Sequence, residues 1–155
     1  MVVTDVQQEG LKLIQIPPNT AWCCGFKCSC GEVAPKKVFL SADEMVEQTA
    51  GKQQAVHLNY KCKLCEKTAT VTIVPRSEKG AIELPEDEGE RVREQSIVQF
   101  DCRGGVLTEW EVGDVVAVGR SGQEFAHDMR GGELADYDDA AGRPVALYAV
   151  TAAFK

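Results

Sequence analysis

Apolar and polar residues alternate with a period of two in several short runs of this chain, the pattern of half-buried strands rather than of helices. Leu11-Lys-Leu-Ile-Gln-Ile16 carries it in part and stops at Pro17 and Pro18, where a missing amide and a fixed φ end strand pairing. Val56-His-Leu-Asn-Tyr60 alternates and delivers Lys61 and Cys62. Ala69-Thr-Val-Thr-Ile-Val74 is rich in β-branched residues and ends at Pro75, which predicts the second arm of a hairpin. Val38 to Leu40, Ile97 to Phe100, Asp114 to Val118 and Val145 to Ala153 supply further β-like runs, with glycine-bearing turns separating the last three. Two segments depart from the pattern. Ser41-Ala-Asp-Glu44 has capping-box spacing with Met45 and Val46 beyond it, predicting a short helix or helical turn that Ala50-Gly51-Lys52 ends. Phe125 to Ala141 is polar and acidic and reads as a long loop with a helical turn.

Residues 75 to 96 hold Pro75, Gly80, Pro85 and Gly89 among many charges, which predicts a surface loop with at most a brief strand at Ala81 to Leu84. This loop separates an N-terminal half, 1–74, from a C-terminal β half, 97–155. At 155 residues the chain has the size of a single domain. The expectation is one all-β domain, 1–155, built from two β halves.

Composition narrows the function. With 44% hydrophobic and 26% charged residues the chain is ordinary globular material. No run approaches the roughly 18 apolar residues of a membrane span, and Met1-Val-Val-Thr-Asp5 opens no leader-like pattern, so a cytoplasmic protein without membrane partners is expected. A formal net charge of −7 repels phosphate backbones and argues against nucleic-acid binding. Lys36, Lys37, Lys61, Lys63 and Lys67 read as solvated positions around loops. The absence of a heptad or apolar stripe leans towards a monomer.

Seven cysteines are too many to be incidental in a reducing compartment, where lasting disulfides do not form. Cys62-Lys-Leu-Cys65 has the spacing that lets two thiolates of a tight turn reach one zinc ion. Cys28-Ser-Cys30-Gly31 is its candidate partner, one residue short, with a glycine suited to a left-handed turn. The four-ligand set Cys28, Cys30, Cys62 and Cys65 around Zn2+ is therefore expected, with Cys24, four residues before Cys28, as the substitute ligand. Buried free thiols are the plain alternative for the pairs. For Cys23, Cys24 and Cys102 core or half-buried positions are the expectation. A thioredoxin-like redox reading of Cys62 and Cys65 lacks the βαβ context.

No other constellation calls for catalysis. His57 and His127 have no nucleophile motif beside them, and Asp136, Asp138 and Asp139 lack calcium-loop spacing and suit a turn cap. Gly104-Gly105 and Gly131-Gly132 lack the helix and lysine of a phosphate loop. Trp22 and Trp110 read as core or rim aromatics. One internal echo remains, an aromatic residue two positions before a cysteine, at Phe26-Lys-Cys28, Tyr60-Lys-Cys62 and Phe100-Asp-Cys102.

Five blocks in order, Phe26-Lys-Cys-Ser-Cys-Gly-Glu32, Lys61-Cys-Lys-Leu-Cys65, Ile97-Val-Gln-Phe-Asp-Cys-Arg-Gly104, Asp136-Tyr-Asp-Asp139 and Leu147-Tyr-Ala-Val-Thr151, resemble the eukaryotic CXXC-motif-containing zinc-binding proteins. The resemblance implies an all-β, sandwich-like fold, zinc held by two cysteine pairs, and a cytosolic protein without established catalysis. Cys62 and Cys65 match the family's second pair. The first pair departs from it, since Cys28-Ser-Cys30-Gly-Glu stands where the family has Cys-x-x-Cys-Gly-Glu, and Ala50 to Gln54 lacks the family's glycine and arginine run. The expected role is a structural zinc site in a non-enzymatic protein that binds another protein, or handles metal through Cys23 and Cys24. A thiol-disulfide or methionine sulfoxide reductase-like enzyme with Cys102 as nucleophile is the alternative, although Arg103 and Gly104 follow that cysteine.

Overall fold

Strand formation dominates, as the period-two runs predict. The computed structural model describes residues 1–47 and 55–155. The expectation for Ala50-Gly51-Lys52, and the family's run over Ala50 to Gln54, lie outside the described residues. From the first half come β1 (Val2–Glu9), β2 (Leu11–Gln15), β3 (Trp22–Cys28), β4 (Val38–Leu40), β5 (Val46–Glu47), β6 (Ala55–Val56), β7 (Leu58–Lys61) and β8 (Thr68–Ile73). The loop adds β9 (Ala81–Glu83) and β10 (Gln95–Ser96). The second half holds β11 (Phe100–Arg103), β12 (Gly105–Glu111), β13 (Asp114–Gly119), β14 (Glu124–Asp128), β15 (Leu134–Asp138) and β16 (Arg143–Ala153). The fold is all-β.

The antiparallel sheets run β10-β1-β16-β15, β14-β13-β2-β9, β12-β3-β4, β11-β8-β7 and β5-β6. The two β halves are interleaved rather than self-contained. β1 pairs with β16, β2 with β13, β3 with β12 and β8 with β11, outer strands with outer and inner with inner. The chain is thus folded over on itself, with residues 75–96 at the bend. Trp22, Phe26, Leu11, Ile14 and Leu40 from the first half pack in one cluster with Ile97, Val98, Val145 and Leu147 from the second. Each such side chain contributes about 1.5–3 kcal/mol by leaving water.

Two segments differ from expectation. Ser41 to Glu44 forms a single turn closed by the Glu44 amide on the Ser41 carbonyl, 3.1 Å, and the described residues beyond it enter β5 at Val46. A helix there would span too few residues to be stable in isolation, whereas Val46 gains a cross-strand partner in Val56. Phe125 to Ala141 is mostly strand, β14 and β15 on either side of one 3-10 turn at Met129–Gly131. Its acidic residues do not prevent pairing because one of them is consumed internally. Asp138 is fully buried and accepts hydrogen bonds from Ser121 Oγ (2.6 Å), Ser121 N–H (3.2 Å) and Ala141 N–H (3.0 Å), tying the β13–β14 turn to the β15–β16 turn. The Ser121 hydroxyl leads in holding its carboxyl below the usual range.

Gly105 lies opposite Cys28 in the β12–β3 register and beneath the Phe26 ring. A Cβ there would run into that ring and meet the Lys27 carbonyl oxygen at 2.7 Å. Gly105→Ala is therefore expected to lower stability by about 1–3 kcal/mol, read as a lower urea midpoint at unchanged slope.

Candidate metal centre

Cys28 is the last residue of β3, and Cys62 follows β7 directly. Each opens a tight knuckle closed by two backbone hydrogen bonds. In the second, the Cys62 amide reaches the Lys67 carbonyl (3.0 Å) and the Glu66 amide reaches the Cys62 carbonyl (3.0 Å). In the first, the Cys28 amide reaches the Glu32 carbonyl (2.8 Å) and the Gly31 amide reaches the Cys28 carbonyl (2.9 Å). Both rings of the first knuckle are shorter by one residue, which absorbs the one-residue gap between Cys28-x-Cys30 and Cys62-x-x-Cys65. Each knuckle turns through a left-handed residue, Gly31 at φ 100° and Glu66 at φ 61°. A third loop braces the first: the Gly104 carbonyl, between β11 and β12, accepts from the Ser29 amide at 3.0 Å and lies 3.7 Å from Cys28 Sγ.

The structure brings Sγ of Cys28, Cys30, Cys62 and Cys65 within 4.8 Å of one another. Cys28 and Cys65 sulfurs lie 3.7 Å apart, as do those of Cys30 and Cys62. Zinc–thiolate bonds of about 2.3 Å in a tetrahedron require sulfurs about 3.8 Å apart; two of the six pairs stand near that edge and all lie within 4.8 Å, a donor set whose chemistry suits a four-thiolate ion. Cys28 and Cys62 are buried, Cys65 is half-buried and Cys30 is exposed.

The floor of the centre accounts for part of the aromatic echo. Residues two apart in a strand share a face, so Phe26 and Tyr60 point the same way as Cys28 and Cys62. Their rings pack against each other with centroids 4.9 Å apart. Such a pair is worth about 0.5–1.5 kcal/mol beyond its buried area, and here it sets the separation of the two strands that carry the knuckles. Phe100, the third member of the echo, packs edge-on against Trp22 instead, at 6.4 Å, and Cys102 takes no part in the centre.

Glu32 is the residue that spacing arguments missed, although it stands in the Cys-Gly-Glu block. Its Oε2 accepts from Cys62 Sγ at 2.6 Å and from the Leu64 amide at 3.3 Å, bridging one knuckle to the other. The Cys65 amide pulls the Cys62 thiol pKa down, but the Glu32 carboxylate and burial outweigh it and push that pKa up to about 12. On Cys65 the Lys67 amide dominates and lowers the thiol pKa.

The remaining cysteines lie apart from this group. Cys24 is fully buried and sits opposite Trp110 and Val38 on β3, where burial pushes its thiol up to about 12. At ~3.3 Å per residue, four strand positions place it ~13 Å from Cys28, too far to replace it. Cys23 is buried with its thiol 3.7 Å from Glu111 Oε2, and Cys102 is half-buried. Burial raises both pKa values, which keeps the reactive thiolate scarce. His57, between β6 and β7, accepts the Ile73 amide of β8 on Nδ1 at 3.0 Å, a structural role, and His127 Nε2 bonds the Gly132 carbonyl oxygen at 2.8 Å.

A family model described as CXXC motif containing zinc binding protein, eukaryotic, matches residues 2–155. The chain belongs to this family. It is 30% identical over 155 residues to the UPF0587 protein v1g245604 of Nematostella vectensis, covering 98% of this chain and 89% of that one. It is 29% identical over 147 residues to the UPF0587 protein CG4646 of Drosophila melanogaster, covering 92% and 87%. The crystal structure of C1orf123 superposes with a TM-score of 0.77 at 24% identity, over 97% of this chain and 94% of that one. A hypothetical protein from Plasmodium falciparum superposes at 0.74 and 14%, over 96% and 94%. Both show the fold alone. In this CXXC-motif family member the spacing itself occurs once, at Cys62-Lys-Leu-Cys65.

Two outcomes follow from the geometry. Cys24→Ala, which removes a thiol remote from the four sulfurs, is expected to leave metal stoichiometry unchanged when measured by mass spectrometry on the native protein. Glu32→Gln removes the charge that holds the Cys62 proton, so its thiol pKa falls. Because metal uptake needs thiolates, the midpoint of zinc loading against pH moves to lower pH, by up to about one unit.

Proposed function

We propose that this is a non-enzymatic zinc protein in which one ion, held by Cys28, Cys30, Cys62 and Cys65, pins the β3 and β7 knuckles together and fixes a surface for a protein partner. The observation that carries this reading is the pair of 3.7 Å sulfur separations, close to the edge of a zinc tetrahedron. Four protein ligands fill the tetrahedron and leave no position for a substrate or an activated water, the arrangement of a structural rather than a hydrolytic ion. The strands under the knuckles come from distant parts of the sequence, so the ion adds a cross-link where local structure supplies none.

A metal-handling role would draw on Cys30, the exposed thiol of the four, since Cys23 and Cys24 are buried and poorly placed to relay an ion. The redox alternative is disfavoured by the raised pKa of Cys102. Seven cysteines, none in a disulfide, suit the reducing cytoplasm, and a net charge of −7 favours a monomer that binds neither nucleic acid nor membrane. Among the described residues no helix is long and apolar enough to cross a membrane.

Native mass spectrometry of the untagged protein is expected to show one zinc per chain. The Cys62→Ser, Cys65→Ser double variant should lose the ion and melt about 10 °C or more below the wild type. Full folding and melting without any metal, or zinc-dependent hydrolysis of simple esters or phosphates, would overturn the reading.

A further inference from the structure

The two sulfur pairs that stand 3.7 Å apart, Cys28 with Cys65 and Cys30 with Cys62, each join one knuckle to the other. Between them they use all four thiols. A bond within Cys62-Lys-Leu-Cys65 would instead leave Cys28 and Cys30 with only each other inside the group, across a single residue.

Exposure divides the same thiols in a second way. Cys30 is exposed, Cys65 half-buried and Cys28 buried, while Cys62 is fully buried. A small solute therefore meets Cys30 first, and the sulfur 3.7 Å from it belongs to the residue most removed from water. An accessible thiol poised beside a second thiol is the arrangement of an attacked and a resolving cysteine. Coordination requires thiolates, so with zinc in place Cys30 carries no proton whatever its affinity for one in the free site. A disulfide holds its sulfurs at about 2.05 Å, so each pair closes by ~1.7 Å, shared between two side chains.

Resting on the reading that zinc occupies the centre, we propose that the four cysteines form an oxidant-sensitive release site for that ion. Hydrogen peroxide replaces the zinc cross-link by two disulfides, first Cys30–Cys62 and then Cys28–Cys65. The Cys30 thiolate attacks one peroxide oxygen, the O–O bond breaks and hydroxide leaves. The Cys62 thiolate then attacks the sulfenic sulfur of Cys30, the S–O bond breaks and a second hydroxide leaves. Two thiolates have given up two electrons, and one peroxide has become two hydroxides. Only Cys28 and Cys65 remain as donors, and a second peroxide joins them by the same two steps. Both disulfides cross between the knuckles, so the turns that follow β3 and β7 stay tied while the ion goes free. A dithiol reductant returns two electrons to each disulfide and restores the donor set.

The zinc-loaded full chain, treated with one and then two equivalents of hydrogen peroxide, tests this. Released zinc is read with a chromogenic chelator, and cysteines are mapped after alkylation and trypsin. Cleavage after Lys61, Lys63 and Lys67 puts Cys62 and Cys65 on different peptides. After one equivalent, peptide 28–36 should be linked to 62–63, with the alkyl label on Cys28 and Cys65. After two, one zinc per chain should be free and peptides 28–36, 62–63 and 64–67 joined in one assembly. Cys23, Cys24 and Cys102 should still take the label once the chain is unfolded. The oxidised chain should melt about 5 °C or more above the reduced chain stripped of zinc by a chelator. A Cys62–Cys65 link, a link through Cys102, sulfinic acid at Cys30 without any cross-link, or zinc retained through both equivalents overturns the proposal. Zinc content before oxidation separates the two ideas. A loaded chain that gives any of those results loses only the release site, whereas a chain that holds no zinc at the outset loses the structural centre itself.

Discussion

The metal centre rests on backbone pairing between the two halves of the chain. All four cysteines come from the first half, yet neither knuckle is held by that half alone. β3 ends at Cys28 with β12 alongside it, and β7, which leads to Cys62, is paired to β8, which β11 supports on its other edge. The Gly104-Gly105 turn that joins β11 to β12 passes against both systems, its carbonyl on the Ser29 amide and its backbone close to Ala69. A half that contributes no ligand therefore sets where the ligands stand. Such pairings join residues far apart in sequence, and closing those loops costs entropy that only burial of the shared core repays.

Within that scaffold the knuckles are matched by unequal means. The first is one residue shorter than the second, and both its hydrogen bonds contract by the same residue, so the sulfurs still meet. Phe26 and Tyr60 fix the distance between the two supporting strands, and Glu32 ties one turn to the other. These contacts hold the two turns facing each other, which reduces the ordering cost of coordination. Backbone amides face both sulfurs, and the Glu32 carboxylate on Cys62, with burial, is what turns its pKa shift opposite to that of Cys65.

What could be read in advance was local. The structure places strands at Leu11 to Gln15, Leu58 to Lys61 and Thr68 to Ile73, and the last shows the reason for its alternation by burying Ala69, Val71 and Ile73 on one face. The cysteine pairs were legible because metal chemistry restricts spacing and flanking residues. Glu32 was visible as part of a block but its role was not, since that depends on a knuckle thirty residues away in sequence. β1 was missed because Val2-Val-Thr-Asp-Val-Gln-Gln-Glu9 is too polar to show a clean period, and its order comes from the long partner β16. β12 was missed for a similar reason, as Gly105 and Thr108-Glu109 dilute its pattern while β3 supplies the pairing. The capping-box spacing at Ser41 yields the single turn and not the longer helix, because the competing partner for Val46 lies ten positions further on.

The two tryptophans of the chain happen to stand on opposite sides of the seam between the halves. Trp22 belongs to β3 and Trp110 to β12, with ring centroids 5.6 Å apart at 49°, and the Trp22 indole N–H donates to Glu78 at 2.7 Å. Indoles this close share their excited states, so near-ultraviolet dichroism and emission record whether the seam is closed. The knuckles begin six strand positions further along, ~20 Å away, with no indole beside them. Light and metal content consequently report on two different events in the same molecule: one follows the zipping of the halves, the other the gathering of the thiols.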